Sequence, residues 1–71
     1  MSQDLPIKLQ PHQQRVIEER AELHAKIEKL EAFLDTDTFR KLQIMDQGYL
    51  ARQRTLMREY CQVLDFRIAR F

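Results

Sequence analysis

From Pro11 to Leu34 the apolar side chains recur at helical spacing. Val16, Leu23 and Leu30 stand seven apart, and Ile27 and Leu34 fill the intervening positions at steps of four and three. This is an a/d seam, in which side chains on one stripe of a helix meet a partner helix. Arg20 occupies one of the seam positions, and Glu, Arg and Lys crowd the flanks. Glu22 and Lys26 are spaced for a favourable i,i+4 pair, worth about 0.3 kcal/mol where it forms. Pro11 suits the first turn of this helix, where its missing N–H leaves no bond unmade. Residues 1–10 carry no such periodicity, so an extended or disordered leader is expected there. Residues 11–71 are expected to form one helical-hairpin domain.

The run Asp35-Thr36-Asp37-Thr38 interrupts the pattern. Short polar side chains bond to nearby backbone and favour caps over helix interiors. One helix therefore ends here and another begins, with Thr36 or Asp37 as its N-cap. Phe39, Leu42 and Met45 would form the apolar face of a short middle helix. Asp46-Gln47-Gly48 reads as a second interruption, since Gly costs about 1 kcal/mol inside a helix. Asp46 would cap the last helix.

From Tyr49 to Phe71 two apolar rows run side by side. Tyr49, Leu56 and Val63 make one; Leu50, Met57, Leu64 and Phe71 make the other, and Tyr60 and Ile68 join them. A helix folded against a single partner buries one stripe, and two rows exceed it. The expected fold is all-α: an antiparallel helical hairpin with a short middle helix, oligomerising through its long C-terminal helix. The monomeric alternative is a three-helix bundle with the short helix as third wall. Disulfides and metals are not available as staples, and a lone hairpin of this size has a small core to set against chain entropy.

Composition sharpens this picture in a few respects. The chain has 71 residues, 44% hydrophobic and 32% charged, with Gly 1 and Pro 2, which excludes turn-rich β architectures. Net charge is +1, so there is no global footprint for nucleic acid or an acidic membrane. A helix-turn-helix reading of residues 38–45 and the helix after them fails on the same ground, and on the apolar residues already committed to a seam. Neither a signal peptide nor a long apolar run is evident, so the chain reads as cytoplasmic.

Catalytic chemistry has little to draw on. Ser2 is the only serine, and it stands far from His12 and His24. Those histidines are twelve apart with no metal-ligand spacing around them, so no metal and no cofactor is expected. Cys61, in the apolar band, reads as a small buried hydrophobe. Glu18, Glu19 and Glu22 read as a solvated face. The arginines say more. Arg52, Arg54, Arg58, Arg67 and Arg70 all lie in the last helix, with Tyr49, Tyr60 and Phe71. Guanidinium forks bind phosphate bidentately and aromatic faces stack bases, so copies of this helix that converge would make an anion pocket. The structural reading of the same arginines is rim ion pairs and a complement to the helix dipole.

The residues also keep to a recurring order. Leu23-His24-Ala25-Lys26-Ile27-Glu28-Lys29-Leu30-Glu31-Ala32-Phe33-Leu34 is followed by a polar break and Phe39-Arg40-Lys41-Leu42. Leu50, Gln53, Met57, Tyr60, Leu64, Arg67 and Ile68 then come in the last helix. Over residues 12–71 this resembles the phage helical-hairpin family that includes anti-CBASS and anti-Thoeris cyclic-nucleotide sponges. The resemblance implies a non-enzymatic anti-defence protein of the host cytoplasm. It implies a compact homo-oligomer, often a hexamer, that holds a cyclic oligonucleotide or cyclic ADP-ribose-type ligand between protomers. By position in the pattern it points to Arg67 first as a ligand-binding residue, then to Tyr60, in a ligand-binding or a packing role, and to Lys26, with a phosphate or a glutamate as its partner. Arg58 and Arg52 are added from the arginine spacing alone. Gly48 departs from the Glu/Gln-rich approach to the last helix expected of the pattern. The rival reading is a helical module that binds a host or phage protein through the same stripe and takes no small ligand.

Overall fold

Two long helices lie antiparallel, joined by one short turn of helix. In the computed structural model, which describes residues 9–71, the elements are α1 (Pro11–Leu34), α2 (Asp37–Arg40) and α3 (Ile44–Ala69). No strand occurs among the described residues. The all-α hairpin with a short middle helix is the fold expected from the pattern. The leader expected over residues 1–10 lies, for residues 1–8, outside the described residues.

α1 begins where Pro11 can occupy its first turn. Gln10 is its extended N-cap, and the Gln13 side chain accepts a bond from the Gln10 N–H at 2.9 Å. One of the orphan donors at the helix start is thereby satisfied. The seam behaves as its spacing predicts: Val16, Leu23 and Ile27 are buried, and Leu30 and Leu34 are half-buried towards the turn.

Thr36 makes the turn. Its hydroxyl donates to the Phe33 carbonyl at 2.6 Å and accepts from the Phe39 N–H at 3.1 Å, closing α1 and capping α2 with one side chain. Phe39 folds back edge-on to Phe33, with ring centroids 6.1 Å apart and an interplanar angle of 79°.

The second interruption is misplaced in the sequence reading. The break falls at residues 41–43, and Asp46, Gln47 and Gly48 all lie inside α3. Met45 belongs to α3 and is exposed, so it does not share a face with Phe39 and Leu42 in a middle helix. The reason is local. The Gln47 side chain donates to the carbonyls of Arg40 and Leu42, at 3.1 and 2.8 Å, and so ties the first turn of α3 to the end of α2. Gln43 is the N-cap, and Asp46 stands in the first turn, where its charge suits the helix dipole without capping. Packing along a 26-residue helix outweighs the cost of one glycine.

A Cβ added at Gly48 meets nothing within 4 Å. Gly48→Ala should therefore raise stability by about 0.5–1 kcal/mol, mostly by restricting the unfolded chain. A thermal melt followed at 222 nm should show the midpoint several degrees higher; an unchanged or lower midpoint would mean that something closes on this position.

Candidate functional site

The core decides which way α3 is turned. Leu64 is 0% exposed, Cys61 is buried beside it, and Met57 and Ile68 pack against the cluster formed with Val16, Leu23 and Ile27. Cys61 is the small buried hydrophobe that its place in the apolar band suggests. The row of Leu50, Met57 and Leu64 thus faces α1. The row of Tyr49, Leu56 and Val63 is left in solvent, and Phe66, absent from the two-row reading, is exposed as well.

Two ion pairs pin one flank of the hairpin. Arg20 Nε donates to Asp65 Oδ1 at 2.8 Å, with a second, longer contact of 3.4 Å to Oδ2. Arg58 Nε donates to Glu31 Oε2 at 2.7 Å, and a terminal guanidinium nitrogen of Arg58 reaches the same oxygen. His24 and Glu28 lie between them, 3.3 Å apart. His24, Glu28, Glu31, Arg58 and Asp65 line an open groove of about 380 Å³ together with Ile27, Cys61 and Gln62. The seam arginine thus has a carboxylate across the helix interface. Sequence alone shows Arg20 out of place on an apolar stripe, and a search for an acidic residue at seam height on α3 would have found Asp65.

The Arg20 hydrogen bond, followed by its charge, holds the Asp65 carboxyl below its ordinary value of 3.8 and in turn raises the Arg20 pKa. A depressed carboxyl pKa stabilises the fold above the unfolded-state value and loses that contribution as pH falls through the folded value. The difference in melting temperature between the native chain and Asp65→Asn should therefore be full at pH 7 and shrink as pH falls below about 3.8. Melts from pH 7 to pH 2 on both proteins test this, and a difference independent of pH would reject the pairing.

The five ligand-binding residues expected from sequence do not fall together. Arg58 lies on the ion-paired flank, held by Glu31. Arg67 is nine residues further on, about two and a half turns, and so on the opposite side of α3. Tyr60 stands two turns before Arg67 on that side. The two ion pairs also set the antiparallel register and bring Lys26, on the other flank of α1 from Glu31, level with Tyr60. Lys26, Tyr60 and Arg67 are all exposed, and neither Lys26 nor Arg67 has an ion-pair partner among the described residues, so the Glu22–Lys26 pair expected from the spacing is not formed. Arg52 is exposed two turns before Tyr60, further round the same side, and lines a second open groove of about 540 Å³ with Ala51, Arg54, Thr55, Leu56 and Glu59. Arg54 Nε is buried there without a hydrogen-bond partner.

One side of the hairpin is therefore closed by charge pairs, and the other presents free cations beside tyrosine and aliphatic side chains. No metal-ligand cluster occurs among the described residues, and no described helix is long and apolar enough to cross a membrane. No curated protein and no solved structure matches the chain. A family model does: residues 10–70 match Sequestin, a family named for sequestration and in keeping with the sponge resemblance read from the sequence, and the chain belongs to the Sequestin family.

Proposed function

We propose that this protein is a non-enzymatic phage anti-defence protein that sequesters cyclic nucleotide second messengers between protomers in the host cytoplasm. Family membership supports sequestration. The observation that carries the ligand class is the side of the hairpin where Lys26, Tyr60 and Arg67 are all exposed, Lys26 level with Tyr60 and Arg67 two turns further along α3, with no ion pair to either cation among the described residues. Ammonium and guanidinium groups bind phosphate, and a half-exposed tyrosine ring offers a base its face. The surplus apolar row beside them supports assembly into a homo-oligomer, which would bring such triads from several copies around one ligand. A nanomolar sponge needs about −12 kcal/mol, a total that charged contacts from more than one chain approach and one exposed triad does not.

In this reading Arg58 is not counted among the ligand contacts, because it is paired with Glu31 on the opposite flank. Arg52 joins Lys26, Tyr60 and Arg67 around a ligand only if another copy delivers it.

Native mass spectrometry of the protein with a panel of cyclic di- and trinucleotides and cyclic ADP-ribose species is the test. A defined oligomer carrying a stoichiometric adduct is expected. An oligomer that takes up none of them would overturn the ligand reading. It would favour the second one, a helical module that binds a protein, for which the uncovered row of Tyr49, Leu56 and Val63 speaks.

A further inference from the structure

The outward side of α3 carries a second seam, distinct from the one that packs on α1. Met45, Tyr49, Arg52, Leu56, Glu59, Val63 and Phe66 succeed one another at steps of four, three, four, three, four and three. This is an uninterrupted a/d spacing over 22 residues, roughly 33 Å of helix. Its five apolar members are 51% to 65% exposed, and both charged members are exposed. A heptad seam that nothing among the described residues covers is built for another helix.

The order of residues along the seam is close to a mirror about Leu56. Met45 and Phe66 stand at its ends, Tyr49 and Val63 come next, and Arg52 and Glu59 flank the centre on either side. Such a sequence complements itself when two copies run antiparallel. A two-fold axis near Leu56 brings Arg52 of each copy within a turn of Glu59 of the other. Tyr49 then meets Val63 and Met45 meets Phe66, and every contact occurs twice. Parallel packing in register does the reverse, stacking Arg52 on Arg52 and Glu59 on Glu59. Within one chain Arg52 and Glu59 are two turns apart and make no ion pair. The groove beside Leu56 is floored by Ala51 and Thr55, side chains small enough to let the leucine of a second helix settle.

We infer that α3 pairs with α3 of a second copy, antiparallel about Leu56, with reciprocal Arg52–Glu59 ion pairs selecting that direction. The inference rests on the assembly part of the proposed function and is independent of its ligand. It reassigns Arg52 from ligand contact to interface, and leaves Lys26, Tyr60 and Arg67 at the edge of the pair.

A charge exchange tests it. Sedimentation equilibrium should show Arg52→Glu and Glu59→Arg each weakening the pairing at least tenfold, because each sets like charges together at both ends of the centre. The double variant R52E/E59R should return to within about threefold of the native chain, since the exchange restores opposite charges in the antiparallel pair only. Circular dichroism on each variant verifies that the hairpin is intact; both positions are exposed, so its helicity should hold. Mixing an Arg52→Cys chain with a Glu59→Cys chain under mild oxidation should cross-link the two kinds of chain to each other far more than either to itself. A native chain that stays monomeric would overturn the inference and the assembly reading together. An oligomer indifferent to the single variants, or one not restored by the double, would overturn the antiparallel pairing alone. Neither result bears on the nucleotide adduct, which native mass spectrometry reads separately.

Discussion

Leu64→Ala should remove most of the stability of this protein. Leu64 is the one large side chain fully withdrawn from solvent among the described residues, and it belongs to a five-residue buried cluster. Truncating such a leucine costs about 2–5 kcal/mol, from lost transfer free energy and from the cavity that the surroundings fail to fill. The whole fold has little more than that to lose: domains are stabilised by about 0.1 kcal/mol per residue, so a chain of this length holds roughly 7 kcal/mol. Most of it cannot be rebuilt by collapse, because the two helices meet along a single stripe with no third layer behind it. The variant should show a melting transition lowered by well over ten degrees and a reduced 222 nm signal at physiological temperature. Leu64→Met, which keeps volume, should cost less than about 1.5 kcal/mol. Leu56→Ala is the contrast. Leu56 is half-exposed on the hairpin, so the loss there should appear in self-association far more than in the folding of one chain. If Leu64→Ala melts like the native protein, the core lies elsewhere.

The second large effect is expected at Arg67. Arg67→Ala should weaken nucleotide binding by about tenfold to a hundredfold while leaving helix content and oligomer mass unchanged. The magnitude is that of a hydrogen bond to a charged group, about 1.5–3 kcal/mol. Folding should be indifferent because Arg67 is exposed and has no ion-pair partner among the described residues; its one structural role is a modest complement to the C-terminal dipole of α3. Arg58→Ala should show the opposite division. It removes the partner of Glu31, so the hairpin loses a link, and it leaves the affinity for ligand close to native. Isothermal titration with whichever cyclic nucleotide forms the adduct reads both variants. Equal losses at the two arginines would show that the ion-paired flank also faces the ligand.

These outcomes turn on which side of α3 each residue occupies, and here sequence and tertiary structure divide the work. Periodicity and caps were sufficient for α1. Pro11 at the start, the polar run from Asp35 and a seam of five apolar residues mark its ends and its inner face, because those signals act within a few residues of backbone. The order of segments from Leu23 to Ile68 was enough to point to the family. Gly48 misled, since its intrinsic cost is small beside the bonds from Gln47 back to the carbonyls of Arg40 and Leu42, and those form only once α2 has turned. Phe66 went unnoticed because it belongs to neither of the two obvious rows.

The sequence by itself determined that this is a helical hairpin with more apolar surface than one partner helix can cover, and that five of its eight arginines follow residue 50. Only the tertiary structure decided which of the two rows is core. Each row is apolar enough to pack on a helix; the choice falls to the rotation at which Leu64 and Cys61 meet Val16, Leu23 and Ile27 while Arg20 reaches Asp65 and Arg58 reaches Glu31. That single rotation sends Arg58 to the closed flank and leaves Tyr60 and Arg67 on the open one. Spacing along a helix says which residues share a face, and contacts with a second helix, distant in sequence, say where that face points.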